Sequence, residues 1–141
     1  MKICLVVDDY MPDSIKVAAK MMHELAVELN TQGHDITVLT PSSKIQKKVE
    51  VLILDNIKIL RFKNGEIKNV PKIKRAINET LLSYNAWKNC KDLLKNDKHD
   101  LIIYYSPSIF FGPLVKKLKK FAIFLNFIIA NIFVFLLFLF L

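Results

Sequence analysis

The sequence predicts an α/β fold in which a mainly parallel sheet carries helices on its faces. Three observations predict it. Residues 2–7 (KICLVV) and 101–105 (LIIYY) are short, almost continuously apolar runs, the pattern of strands buried on both faces of a parallel sheet. Residues 36–39 (ITVL) form another such run. Between the first and this one lies a helical apolar repeat, and strand, helix and strand within about forty residues imply a right-handed crossover and a parallel pair.

The first run stops at Asp8-Asp9, and Pro12-Asp13-Ser14 supply a turn and a helix N-cap. Over residues 15–30, Ala18, Met21, Met22, Leu25 and Leu29 recur at spacings of three and four, which marks one helix face. His23 falls off that face and is expected in solvent. Gly33 stands where a helix-ending left-handed residue belongs, and His34 follows it as a turn residue. Pro41 is expected to end the strand over 36–39. Residues 49–54 and 57–62 flank Asp55-Asn56, which reads as a hairpin or two short strands, and Asn64-Gly65 marks another tight turn. Residues 73–95 read as one helix in which Ile73, Ile77, Leu81, Tyr84, Trp87 and Leu94 mostly keep the three-and-four rhythm, so Tyr84 and Trp87 are expected to pack inward. Asp100 opens the run over 101–105, and Phe111-Gly112-Pro113 leads into a short basic helix. Ligands of open α/β sheets sit at the carboxyl ends of the strands. Here those ends are Asp8-Asp9-Tyr10, Thr40-Pro41 and Tyr105-Ser106-Pro107.

Residues 121–141 (FAIFLNFIIANIFVFLLFLFL) have another character. They hold no charge, only Asn126 and Asn131 as polar side chains, and seven of the ten phenylalanines. A helix of that length rises about 30 Å, enough to cross a hydrocarbon layer. The expectation is a domain over residues 1–120 and an apolar, membrane-spanning helix over 121–141.

The net charge is +8, concentrated in ten basic residues from Lys44 to Arg75 and in Lys116, Lys117, Lys119 and Lys120 beside the apolar segment. Such patches suit an anionic membrane surface or a phosphate-bearing substrate, and a solvated lysine-rich face is the plainer reading of any single one. Basic residues without interleaved aromatics or a recognition motif argue against nucleic acid. Cys4 and Cys90 form no C-x-x-C pair and, with the three histidines, no metal-ligand spacing, which points to a reduced, cytoplasmic compartment. The first residues, broken by Asp8-Asp9, do not read as a signal peptide. No P-loop, G-x-G-x-x-G or zinc pattern is present, so no bound cofactor or metal is expected.

The stretch HELAVELNTQGHDITVLTP (residues 23–41) resembles the helix, Gly-His and strand segment of family 4 glycosyltransferases. With VVDDYMPDSIKVAAKMMHELAVEL, LRFKNGEIKNV, residues 78–87 and LIIYYSPSIFFGPLVKKLKK, the likeness extends over residues 1–120 to a subgroup that makes bacterial surface polysaccharides such as colanic acid and O-antigen. That family pairs two Rossmann-like domains, the GT-B arrangement, with the acceptor on the N-terminal half and the nucleotide sugar on the other. The resemblance implies that Asp8, Asp9, Ser14, Lys16, Tyr105 and Ser106 face the cleft between the halves. Many relatives carry a Gly-Gly pair in the first loop; Lys16-Val17 stand near that place here, where a lysine would meet phosphate as a point charge.

The implied function is sugar transfer from a nucleotide sugar to a lipid-linked acceptor at the cytoplasmic face of the bacterial inner membrane. The donor half is missing, so the chain alone is expected to be inactive, and no catalytic residue is assigned. Asp9 qualifies as a general base only if burial raises its pKa. Residues 121–141 read either as the product of a frameshift in an AT-rich gene or as a tail anchor whose inner flank is Lys116, Lys117, Lys119 and Lys120. The first reading has the further argument that the segment stands where sheet strands are expected. Two other functions fit some residues. One is a non-catalytic, membrane-tethered binding module. The other is a receiver-like phosphoacceptor domain, with Asp8-Asp9 as its acidic pair and Asp55, at the end of VLILDN, as its acceptor.

Overall fold

The computed structural model of the chain describes residues 1–105, 109–120 and 126–129. Among them the elements follow in the order β1 (Lys2–Val6), α1 (Val17–Thr31), β2 (Asp35–Ser42), β3 (Val49–Leu54), β4 (Ile57–Lys63), α2 (Lys72–Thr80), α3 (Leu82–Asn96), β5 (Leu101–Tyr105), a 3₁₀ turn (Ile109–Phe111), α4 (Gly112–Lys119) and β6 (Asn126–Ile129). The sheet order is β3-β4-β2-β1-β5-β6, parallel throughout except that β3 runs antiparallel to β4.

Strand β1 pairs with β2 on one side and β5 on the other, so its backbone is satisfied on both edges and its side chains on both faces. Alternation then sorts the core. Cys4 and Val6 join Leu39, Leu60, Phe62 and Ile102 under α3 and α4, whose Leu82, Ala86, Cys90, Leu94, Leu114 and Leu118 cover that face. Ile3, Leu5 and Val7 join Ile36, Val38, Ile57, Ile59 and Ile103 on the other face, under Met22 and Ala26 of α1. Both cysteines are buried free thiols, and burial pushes each up to about 12. At the amino edge of the sheet, Lys2 Nζ (2.6 Å) and Lys58 Nζ (3.1 Å) converge on Asp97 and hold its carboxyl down at about 2.

Several local expectations are corrected. Helix α1 starts at Val17 with Lys16 as its cap residue; Ser14 Oγ instead accepts the Lys16 N–H at 3.3 Å. The helix is also rolled by about one residue from the apolar face drawn on the sequence, so that Ala19, Met22, His23 and Ala26 are the buried set. His23 therefore lies inside, not in solvent. Pro41 does not end β2: beyond Leu39 the strand has lost β1 and keeps only β4 as a partner, so a residue without an N–H is tolerated.

The helix expected over 73–95 is two helices joined at Leu81, and the first part of its expected core stripe faces outward. Ile73, Ile77, Leu81 and Tyr84 are 79%, 55%, 41% and 57% exposed. Core contacts come from the expected Leu94 and from Leu82, Ala86 and Cys90, a second apolar row beside the first. Trp87 does pack against that core, with Lys117 Nζ 5.3 Å from its ring centroid.

Residues 126–129 are a sheet strand, so a continuous helix over 121–141 is overturned; the other residues of that segment lie outside the described ones. Among the described residues no helix is long and apolar enough to cross a membrane.

The hairpin and the helix end come out as expected. Asp55 and Asn56 have φ of 49° and 64°, the pair of left-handed residues that a two-residue reversal between right-twisted strands needs. Gly33 has φ of 88°, its N–H bonds to Asn30 O at 2.9 Å, and the N–H of His34 bonds to Leu29 O at 3.1 Å. An added methyl at Gly33 would touch nothing, so Gly33→Ala isolates the cost of the left-handed backbone. Urea unfolding is expected to show a loss of about 1 kcal/mol, and an unchanged midpoint would contradict this account of the helix end.

Candidate functional site

At the carboxyl edge of the sheet, the loops after β1, β2 and β4 enclose a cavity of about 320 Å³. The β1–α1 loop contributes Asp8, Asp9, Asp13, Ser14 and Lys16, the end of β2 Pro41 and Lys44, and the segment after β4 Ile67 and Lys68. Lys68 Nζ bonds Asp9 Oδ2 at 2.6 Å and lies 4.0 Å from Asp8 Oδ2.

The β1–α1 loop, which contains a cis Met11–Pro12 peptide, is fastened at two further points. Asp13 receives Arg61 Nη2 on both carboxylate oxygens at 2.9 Å and the Ser42 hydroxyl at 2.6 Å. Arg61, 8% exposed on β4, also meets Glu50, the residue opposite it on β3, at 3.0 Å. The second point is the buried Tyr10. Its hydroxyl lies 2.9 Å from His23 Nδ1, and His23 Nε2 lies 2.8 Å from Asp55 Oδ2 in the hairpin turn. With the imidazole proton on Nε2, His23 donates to the carboxylate and accepts from the phenol, which satisfies all three groups. Burial, with Asp55 adding to it, pushes the phenol's pKa well above its ordinary value.

No protein-family profile and no curated protein sequence matches the chain. Solved structures do. The chain superposes on trehalose-6-phosphate from Escherichia coli bound with UDP-2-fluoro glucose at a TM-score of 0.54 and 12% identity, covering 83% of this chain and 30% of that one. It superposes on the catalytic domain of Starch Synthase IV from Arabidopsis thaliana, bound to ADP and acarbose, at 0.62 and 14%, covering 89% and 32%. Both are GT-B glycosyltransferases. The fold is Rossmann-like, of the GT-B kind. The chain spans about a third of the length of each.

In this GT-B-like sheet the expected cleft residues separate. Asp8, Asp9, Ser14 and Lys16 come together on the cavity wall. Tyr105 ends β5, half-buried against the α1-side core and away from the cavity lining, and Ser106 lies outside the described residues. Lys116, Lys117, Lys119 and Lys120 are exposed at the end of α4, where three of them oppose the negative end of the helix dipole.

Lys44, Lys68 and Asp13 were missed as site residues. Their signal is the carboxyl end of β4, which the local pattern of a hairpin or two short strands over 49–62 does not reveal as a parallel neighbour of β2. The same hairpin removes the phosphoacceptor reading: β3 is antiparallel, and its turn puts Asp55 at the amino edge of the sheet, opposite Asp8 and Asp9.

The wall offers two kinds of chemistry. Asp9 is neutralised in place by Lys68, the partner that the sequence did not disclose. Asp8 is held above the usual carboxylate range by burial, against the pull of Lys68 and with the push of Asp9. A carboxylate so placed is suited to accept a hydrogen bond or a proton from a hydroxyl group brought into the cavity. Lys16 and Lys44 supply cations at the rim.

Lys68→Met is expected to move the Asp8 pKa further up and Asp9→Asn to bring it down, as read by carboxyl ¹³C NMR titration; opposite shifts would contradict the arrangement. A folded-state pKa above the unfolded one favours the fold below the unfolded value and loses that contribution as pH rises through the folded one. Asp8→Asn should therefore stabilise the chain at neutral pH and leave it unchanged at about pH 3. Arg61→Met is expected to cost about 3 kcal/mol in urea unfolding, because Asp13 and Glu50 lose their common cation. Adding Asp13→Asn should recover about 1 kcal/mol of that loss, and strict additivity would sink the coupling.

Proposed function

We propose that this chain is the acceptor-side domain of a family 4 glycosyltransferase that transfers a sugar from a nucleotide sugar to a lipid-linked acceptor. The proposed setting is bacterial surface-polysaccharide assembly at the cytoplasmic face of the inner membrane. The observation that carries the reading is the carboxylate- and lysine-lined cavity at the carboxyl ends of β1, β2 and β4, on a sheet of the GT-B kind. The two solved neighbours are bound with UDP-2-fluoro glucose and with ADP and acarbose, which makes nucleotide sugars the donor class to test first. In this reading Asp8 and Asp9 receive the acceptor's hydroxyls, while Lys16 and Lys44 face phosphate. Donor-side groups come from outside the 1–120 region, so the chain alone binds without turnover.

A ¹⁵N NMR titration with a water-soluble prenyl-phosphate-linked monosaccharide tests it. Shifts should centre on the amides of Asp9, Ser14, Lys16, Lys44 and Lys68, and Lys16→Gln with Lys44→Gln should weaken binding about tenfold, the scale of one charge-assisted contact. Shifts elsewhere, or none at saturation, would overturn the reading. Sugar transfer by the purified chain would overturn the division of roles.

A further inference from the structure

Helix α2 is mounted with its polar side inward. Of its residues only Asn78 and Glu79 are partly covered, and none is fully buried. Asn78 Nδ2 donates to Glu66 O at 2.7 Å, Asn78 O accepts from Asn64 Nδ2 at 3.3 Å, and Glu79 takes the Arg75 guanidinium at 2.8 Å. The backbone at Gly65 lies directly against the Asn78 side-chain amide, so the helix is seated on this polar side. At about 100° per residue, Ile73 and Ile77 then point away from the protein, with Lys72 and Lys74 on either side of Ile73. Surface helices ordinarily turn their apolar stripe to the core. The stripe continues through Leu81 to the exposed Tyr84, over whose ring Lys88 Nζ sits 5.7 Å from the centroid.

The geometry points to α2 and the first turn of α3 as a docking surface for an anionic lipid bilayer. Ile73, Ile77, Leu81 and Tyr84 enter the boundary between headgroups and acyl chains, and Lys72, Lys74 and Lys88 stay at the level of the lipid phosphates. Charge complementarity selects this occupant. Lys72, Lys74 and Arg75 lie on one short helix whose single acid, Glu79, faces inward, on a chain of net charge +8. Glu66, held by Asn78, is itself part of the cavity lining, so a docked α2 brings the cavity mouth to the membrane surface. The inference stands on the helix geometry and deepens the proposed function by placing the lipid of its acceptor. Because vesicle binding is read without sugar or nucleotide, either can fail alone.

The test is flotation of the full chain with vesicles of phosphatidylcholine alone and of about three parts phosphatidylcholine to one of phosphatidylglycerol. Binding should favour the anionic vesicles and weaken with salt. Ile73→Ser with Ile77→Ser should lower partitioning about tenfold or more, with far-UV CD and unfolding midpoint unchanged because both side chains are exposed. Lys72→Gln with Lys74→Gln should remove most of the preference for anionic lipid. Undiminished binding by the isoleucine variant would assign attachment to other residues, those over 121–141 included, and overturn the inference. So would a parent chain that ignores vesicles but self-associates through Ile73 and Ile77, since a second copy would then be the occupant.

Discussion

The position of β1 sets the terms for the rest of the molecule. A strand with a parallel neighbour on each edge and helices over both faces is shut off from water beyond its first residue, so every residue from Ile3 to Val7 is apolar and buried. The first polar groups the chain can place are Asp8 and Asp9, and they emerge together at the carboxyl edge while still close to the core. A pair of carboxylates there repels itself and resists desolvation. Lys68, reaching back from the segment after β4, is the answer to both difficulties. The cavity and its chemistry thus follow from the burial of one strand.

The same constraint explains how the β1–α1 loop keeps its shape. Its polar anchors, Asp13 on Arg61 and Ser42 and Tyr10 on His23, reach different elements, so the loop is held against β2, β4 and α1 at once. Arg61 works at the limit of satisfaction. Its Nη atoms serve Asp13, Ser42 and Glu50, but its Nε is buried without a partner among the described residues. That is a cost of about 1–3 kcal/mol set against a fixed loop, and a site that orients a ligand needs fixed walls.

What was legible in the sequence was what local chemistry decides. The runs KICLVV and LIIYY, the left-handed Gly33 and the two-residue hairpin at Asp55-Asn56 each reflect a rule that acts within a few residues, and Asp8-Asp9 stand at a strand end for the same local reason; Ser14 and Lys16, drawn from a family resemblance, line the same cavity. The misplaced helix faces have one cause. Apolar spacing says that a helix has two sides, not which side the rest of the protein will take. On α1 the face drawn from spacing is off by one residue, which puts His23 outside; on α3 two apolar rows compete, and Leu82, Ala86 and Cys90 take the core while Tyr84 stays exposed. Lys68 meets Asp9 across 59 positions of sequence, and no periodicity reports such a contact. Residues 126–129 pair with β5 because an extended apolar segment beside an open parallel edge gains a full ladder of backbone bonds, an option that hydropathy alone does not display.

The bridge from Tyr10 through His23 to Asp55 bears on which changes of length the chain tolerates. His23 sits mid-helix and touches groups on opposite sides of its ring, so its angular position on α1 is fixed by contacts at both ends. One residue inserted between Val17 and His23 would turn the imidazole by about 100° and shift it by about 1.5 Å, leaving the buried Tyr10 hydroxyl without its partner and releasing the exposed Asp55 to water. Surface loops absorb insertions readily. Here the first helix behaves as a spacer of set length, and length variants of this chain should spare α1.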